Sequence, residues 1–484
     1  MSLLVVDVGT SSVRAAIVGD DARVRVERQE ELLPSTPAAG LVEIDGVAIA
    51  TAALRLAGAV SDEIATAGGR VRAVGVTNQR ASTLVWDRVT GEPVAPGLGW
   101  QDLRTVVDCL TWQNEGLHLL PNASATKLAS ILNAVDPGRT RDLCFGTVDS
   151  WIVWTLTSGT VHVMDATNAG VTQLRTPTND GWDPRVLELL RIPPNVLPAV
   201  VDSSGECGRA TALPGAPPIT AVVGDQQASL IGQGCVRPGQ AKITFGTGGM
   251  LDVVTGASQS PPVGRNHAGT FPIVARQIDG ATTWGVEAIM LAAGTNVDWL
   301  RDDLGLIATA ADSHTVAAEC GSTDGVVFVP ALLGLGTPRW DFGARGTLLG
   351  ITRGTTRAHV VRAVLEGVAH RGADLVDAAE HDTGLAIDTV RIDGGMSRNP
   401  TFVQALADAT GRPVEVSRVP EATTTGAAFL AGLVTGTWPD LDAVAATWDP
   451  IARVEPARVA DRELWSRAVE RAEGWYPELT ALEF

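Results

Sequence analysis

Two short glycine-rich segments carry the residue types needed to hold a polyphosphate. The first, Asp7-Val8-Gly9-Thr10-Ser11-Ser12-Val13-Arg14, follows the apolar run Leu3 to Val6. The second, Thr244-Phe245-Gly246-Thr247-Gly248-Gly249, follows Ala241 to Ile243. Each reads as a strand, a tight turn and a second strand, beginning at Arg14 or Met250. Glycine lets the backbone approach a ligand closely. Consecutive N–H groups and hydroxyls facing one concavity suit an anion. Two such turns about half a chain apart predict two related domains gripping one polyphosphate between them. Asp7, at the first strand's end, fits either a turn-forming aspartate or a carboxylate holding Mg2+ through water. Arg14 fits either a phosphate partner or an exposed strand residue.

Gly224-Asp225-Gln226-Gln227-Ala228 follows another apolar strand and opens a helix. Asp225 suits a helix N-cap. It equally suits a general base that takes a proton from a substrate hydroxyl, which phosphoryl transfer requires near the nucleophile. The two roles can coexist. A third cluster joins Thr77-Asn78-Gln79-Arg80 to Trp100-Gln101-Asp102. Arg80 as donor, Asp102 as acceptor and Trp100 as apolar wall would fit a ligand with several hydroxyls, or form an ordinary polar loop. The fourth, Asp393-Gly394-Gly395-Met396-Ser397-Arg398-Asn399, lies between a strand and a helix. It could seat a nucleotide base or ribose, but a Gly-Gly turn alone is a weak signal.

The elements that must position these groups alternate. Strands are predicted at 3–6, 13–18, 22–28, 71–77, 83–86 and 219–223, with helices at 47–67, 101–115 and 124–135. The stretches 155–184 and 193–218 read as irregular. Beyond 240, strands are predicted near 241–244, 250–254, 282–286, 326–329, 389–393 and 413–417. Helices are expected near 287–303, 357–380, 401–409 and 422–435. This is an α/β pattern with ligand turns at strand ends and a cleft between two halves. The boundary is expected near 235–245, giving domains 1–240 and 241–484.

Composition narrows the function. With 484 residues, the chain can bury two or three cores. A formal net charge of −18 argues against nucleic-acid binding, which needs a basic face. Lysine is nearly absent, with only Lys127 and Lys242, which reads as genome composition. The five cysteines are an odd number without CxxC spacing, arguing against a disulfide framework or structural zinc. No apolar run is long enough to span a bilayer, and no signal sequence is evident. A cytoplasmic enzyme is expected, with no membrane or nucleic-acid partner.

Together these motifs resemble the FGGY family of carbohydrate kinases, the glycerol kinase branch most closely. The resemblance runs from Leu3 to about Trp438. It is carried by Gly75-Val-Thr-Asn-Gln-Arg80, Val85-Trp-Asp, Trp100-Gln-Asp-Leu-Arg-Thr105, Gly224-Asp-Gln-Gln-Ala228, Phe245-Gly-Thr-Gly248, and the stretch from Gly346 through Gly367. It implies two actin-like, ribonuclease-H-like domains with ATP in the cleft. It further implies γ-phosphoryl transfer to a sugar or polyol hydroxyl, and a homodimer or homotetramer is compatible with it. On that resemblance Asp225 is the base, and Asp7 with Asp225 lies near Mg2+. Thr10, Ser11, Ser12, Arg14 and Thr247 face phosphates. Gly294, Gly395, Met396 and Asn399 line the nucleotide's other end. Arg80, Trp100, Asp225 and Gln226 face the acceptor.

Three acceptor positions depart from the glycerol kinase pattern. Ala81 stands where those enzymes carry Glu, Asn122 where they carry Tyr, and Met250 where they carry an aromatic residue. Ser130 stands in for an expected Trp near Lys127. Lost carboxylate and ring volume predict an acceptor larger than glycerol, such as a four- or five-carbon polyol or an open-chain ketose. A xylulokinase-like ketopentose kinase is the alternative. A nucleotide-switched module on the same scaffold is a more distant one. The segment Ala212-Leu-Pro-Gly-Ala-Pro-Pro218 lacks the Gly/Arg-rich loop of glycerol kinases inhibited by fructose bisphosphate, so no such feedback is expected.

Overall fold

The computed structural model describes residues 2–257, 264–418 and 422–480. The same five-stranded pattern occurs in each half. In the first, β1 (Ser2–Val8), β2 (Ser12–Val18) and β3 (Val24–Glu31) form an antiparallel meander. Strands β4 (Val71–Asn78) and β5 (Pro218–Gly224) then extend it in parallel beside β1. In the second, β6 (Ala241–Phe245), β7 (Gly249–Gly256) and β8 (Ala281–Met290) repeat the meander. Strands β9 (Val390–Asp393) and β10 (Val414–Val416) add in parallel beside β6. Strand Phe271–Ile278 flanks β8 and meets Ser204–Arg209 beside β5, so the two sheets join into one.

Sequence explains these elements locally. Leu3 to Val6 are fully buried, as a strand covered on both faces requires. Helix α1 (Gly46–Thr66) starts where Asp45 accepts from the Val47 and Ala48 N–H groups, and it buries Ile49, Leu56 and Val60. Each half has its own core, one around Val6, Leu56 and Trp86, the other around Phe245, Val364 and Phe402.

Two helices tie the halves together. Helix α2 (Asp225–Gly232) leaves β5, and α3 (Thr423–Val434) packs on β1, β4 and β5 despite its late place in the chain. They cross with backbones nearly touching: a β-carbon at Gly426 would overlap the Ala228 carbonyl. Only glycine permits that approach.

Three expectations are corrected. The helix expected at 287–303 begins later, because β8 runs to Met290; helix resumes at Thr295–Asp298 and Trp299–Asp303. The loop expected at 155–184 contains strand Val163–Asp165 and helix Ala166–Gly170. The irregular stretch 193–218 contains Ala199–Val201 and the sheet strand Ser204–Arg209. All three depend on distant pairing rather than on local pattern. Among the described residues no helix is long and apolar enough to cross a membrane, and all five cysteines are free.

Candidate active site

The first glycine turn joins β1 to β2, closed by the Gly9 N–H donating to the Ser12 carbonyl at 2.9 Å. Ser11 is exposed there, and Thr10 accepts from Trp100 Nε1 at 3.1 Å. Gln79 Nε2 donates to the Gly9 carbonyl at 3.1 Å, and Gln29 Nε2 to Ser12 Oγ at 2.9 Å. Arg14 sits opposite Asp7 in the hairpin register, reaching Gln29 at 3.3 Å and Glu27 at 3.8 Å. Asp7, Thr77 and Val223 occupy one row across β1, β4 and β5. Asp225 follows two residues after that row. Parallel strands about 4.8 Å apart therefore bring Asp7 and Asp225 to the same carboxyl-terminal edge. Asp7 is 8% exposed and accepts from Thr424 on α3 at 3.3 Å.

Asp225 opens α2, but it does not serve as an N-cap: it accepts only from the next N–H, Gln226, at 2.8 Å through Oδ1. Arg80 Nε stands 3.5 Å from the same oxygen, which leaves Oδ2 uncommitted. Burial raises the Asp225 pKa, against the pull of Arg80 and Lys242. Arg80 reaches across to the second half, placing Nη2 2.5 Å from Glu287 Oε2 and 4.0 Å from Met250 Sδ. Its Nη1 is buried without a partner. Burial would lower the Arg80 pKa, but the surrounding carboxylates of Glu287, Asp225 and Asp252 raise it instead. Gln226 Oε1 accepts from Lys242 Nζ at 2.6 Å, and that fully buried ammonium also pairs with Asp252 at 2.7 Å.

The remaining acceptor candidates form a chain of contacts. Trp100 N–H donates to Ser82 Oγ at 3.0 Å, Ser82 to Gln79 Oε1 at 2.9 Å, and Asn122 Nδ2 to the Trp100 carbonyl at 2.8 Å. Lys127 Nζ donates to the Asn122 carbonyl at 2.7 Å, and burial pushes its pKa down to about 7. Ala81 holds a left-handed backbone with φ 61°. Asp102 departs from the expectation of a ligand acceptor. It is fully buried and committed to the Val42 N–H and the Arg104 guanidinium.

The second glycine turn joins β6 to β7 and is clamped by main chain. Ala293 N–H donates to the Thr247 carbonyl at 2.8 Å, and Gly294 N–H to the Gly246 carbonyl at 2.9 Å. Thr247 is exposed. Beside it, Thr244 pairs with Asp393 across β6 and β9. Gly394 has φ 87° and lies so close to the Phe245 backbone that no side chain fits there. Gly395 faces open space. Met396 is 7% exposed and packs into the second core, so its backbone alone is placed to face a ligand. Asn399 caps helix Pro400–Thr410 through Oδ1, and its Nδ2 donates to Ser313 at 2.9 Å.

Comparison with known proteins gives the family. The N-terminal domain of the FGGY family of carbohydrate kinases matches residues 2–232, and its C-terminal domain matches 241–434. The chain belongs to the FGGY family of carbohydrate kinases. A glycerol kinase from Aromatoleum aromaticum is 42% identical, covering 98% of this chain and 99% of the relative. One from Trichlorobacter lovleyi is 41% identical, covering 98% and 99%. Among solved structures, Plasmodium falciparum glycerol kinase with ADP superposes with a TM-score of 0.90 at 27% identity, covering 100% of this chain and 99% of that one. A xylulose-type kinase from Brucella ovis shares the fold, with a TM-score of 0.86 at 23% identity and 100% coverage of both chains.

The donor set of this FGGY kinase fits Mg·ATP. Asp7 and Asp225 offer hard carboxylate oxygens on one edge, and Mg2+ takes one or two carboxylates plus waters and phosphate. The two turns expose the Ser11 and Thr247 hydroxyls, which would suit phosphate oxygens.

Two buried carboxylates beside the candidate site escaped the sequence reading. Glu287 was hidden in an apolar run taken as helix. Asp165 was hidden in a stretch taken as loop. Asp165 is fully buried and accepts from Thr167, Asn168 and Ser203. Thr167 Oγ1 accepts the Gly224 N–H at 2.9 Å, and Asn168 exchanges hydrogen bonds with Asn78. One carboxylate thus sets the strand ends that carry both Asp225 and Arg80. Burial raises its pKa, as it does for neighbouring Asp149. An Asp just before Thr167-Asn168 is an N-cap signal that could have revealed it.

Proposed function

We propose that this FGGY kinase transfers the γ-phosphoryl group of ATP to a hydroxyl of a small polyol or open-chain sugar, with Asp225 as general base. The observation that carries this reading is the Asp225 carboxylate. One oxygen is fixed by Gln226 and Arg80, and the other is free at the edge shared with Asp7. The free oxygen takes the hydroxyl proton as the substrate oxygen bonds to phosphorus and ADP leaves. Mg2+, when bound, neutralises phosphate charge. The division of labour broadly follows the 240/241 boundary: the first turn and most acceptor residues before it, the nucleotide end and Met250 after it.

The relatives are glycerol kinases, so a polyol is favoured over a ketopentose. The replacements at Ala81, Asn122 and Met250 favour an acceptor larger than glycerol. Turnover across glycerol, erythritol, xylulose and ribulose tests this, and a clear preference for glycerol would sink the size argument. The reaction itself is tested by ADP release with and without each polyol, in wild type and Asp225→Asn. Polyol-stimulated release lost in the variant is expected. Polyol-independent hydrolysis in wild type would instead indicate a nucleotide switch.

A further inference from the structure

The acceptor pocket needs oxygens that accept from the hydroxyls of a polyol, and most candidates are spoken for. Asp102 is consumed by Val42 and Arg104. Gln226 Oε1 is taken by Lys242, and position 81 offers only a methyl group. Asp225 has one free oxygen, required for the reacting hydroxyl.

Gln227 Oε1 is buried and unpartnered near Arg80, but it is an amide; Glu287 is the carboxylate in direct contact with the Arg80 guanidinium that keeps an oxygen to spare. It lies on β8, opposite Asp252 of β7, with 8% of its side chain exposed. Oε2 holds Arg80 Nη2 at 2.5 Å, and Oε1 has no partner among the described residues. In the same ion pair, Arg80 Nη1 is buried and has no partner. An unpartnered donor and an unpartnered acceptor thus belong to one ion pair, whose arginine also faces Asp225. Leaving both unpaired in a closed cleft is costly, and a hydroxyl, which both donates and accepts, satisfies the two at once.

We propose that Glu287 binds the acceptor: its Oε1 accepts from a non-reacting hydroxyl while its Oε2 aims Arg80 Nη1 at a substrate oxygen. This rests on the polyol-kinase reading above. It places an acceptor-specificity residue in the second half, on a strand otherwise beside the nucleotide turn. Acceptor recognition is then complete only when both halves stand as they do here.

Steady-state kinetics of the full chain test it. In Glu287→Gln, one amide oxygen cannot serve both Arg80 and the hydroxyl. The expected result is a rise in acceptor KM of roughly ten- to a hundredfold, with the KM for ATP within about twofold. Deoxy analogues of the acceptor separate contact from architecture. Removing the contacted hydroxyl should penalise wild type strongly and Glu287→Gln hardly at all. An unchanged acceptor KM, parallel rises in both KM values, or an equal deoxy penalty in both proteins would overturn the proposal. If Glu287→Gln does not fold, Glu287→Asp, which withdraws the carboxylate by one methylene, must show the same selective rise. Wild type inactive on every polyol would overturn the functional reading and this proposal together. An active wild type with an indifferent Glu287→Gln overturns this proposal alone.

Discussion

The two glycine turns have the same shape and are held in different ways. The first is fastened by side chains: Trp100 on Thr10, Gln79 on Gly9, Gln29 on Ser12. The second is fastened by backbone, through Ala293 and Gly294. The difference separates two tasks. Trp100 also bonds Ser82 and Asn122, so the first turn is mechanically joined to the acceptor cluster. The second turn is held mainly by main chain, with one longer side-chain bond from Thr295 Oγ1 to the Thr247 carbonyl at 3.4 Å. On the proposed reading, the first turn would respond to the acceptor and the second would be ready for nucleotide beforehand.

The largest expected effect falls between the turns. Asp225→Asn should lower kcat by about 10²–10⁴-fold while ATP affinity, measured by calorimetry, stays close to wild type. An equal loss of ATP binding would mean that Asp225 serves the nucleotide rather than the acceptor.

Acid is the next probe, because each half holds one half-buried histidine whose pKa is depressed. Burial pushes both His162, in the first half, and His370, in the second, down to about 4 from 6.5. A depressed histidine leaves the unfolded chain holding more protons, so stability is full above pH 6.5 and is lost as pH falls toward 4. Each contributes up to about 3 kcal/mol of that loss. Denaturant melts at pH 7.5 and 5 should show the slope, and His370→Gln should flatten it. An unchanged slope would show that His370 is not the source.

Gly248→Ala tests the backbone clamp. Its β-carbon would lie 2.7 Å from the Met290 carbonyl, whereas one at Gly9 meets nothing nearer than Ser12 O at 3.7 Å. Gly248→Ala should cost about 1–3 kcal/mol in thermal unfolding and Gly9→Ala far less. Equal costs would erase the distinction between the turns. The smallest effect is expected from Trp100→Phe, which removes the bond to Thr10 and should raise acceptor KM about fivefold. A change confined to ATP would uncouple the first turn from the acceptor.

Both hairpins were legible in the sequence because each is local: an apolar strand, a glycine turn, and a second strand with Arg14 or Met250 at its start. The parallel strand ends carrying Arg80 and Asp225 were legible for the same reason. What failed was non-local. The run Trp284 to Ala293 is apolar apart from Glu287, and periodicity alone does not tell a strand buried on both faces from a helix. Only pairing with β7 decides it, and with it the place of Glu287 opposite Asp252. The pairs that cross between halves, Arg80 with Glu287 and Lys242 with Gln226, join residues far apart in the chain and carry no local signature.

The scarcity of lysine, at first a mark of composition, has a practical side. Lys127 and Lys242 are both 0% exposed, one beneath Asn122 and the other between Asp252 and Gln226. Every side-chain cation at the surface is therefore a guanidinium or an imidazole, so apart from the α-amino group stable acylation is confined to the two lysines. Acylation of either lysine side chain becomes a clock for opening. The rate at Lys242 times the separation of the two halves, and the rate at Lys127 times the loosening of the acceptor wall alone.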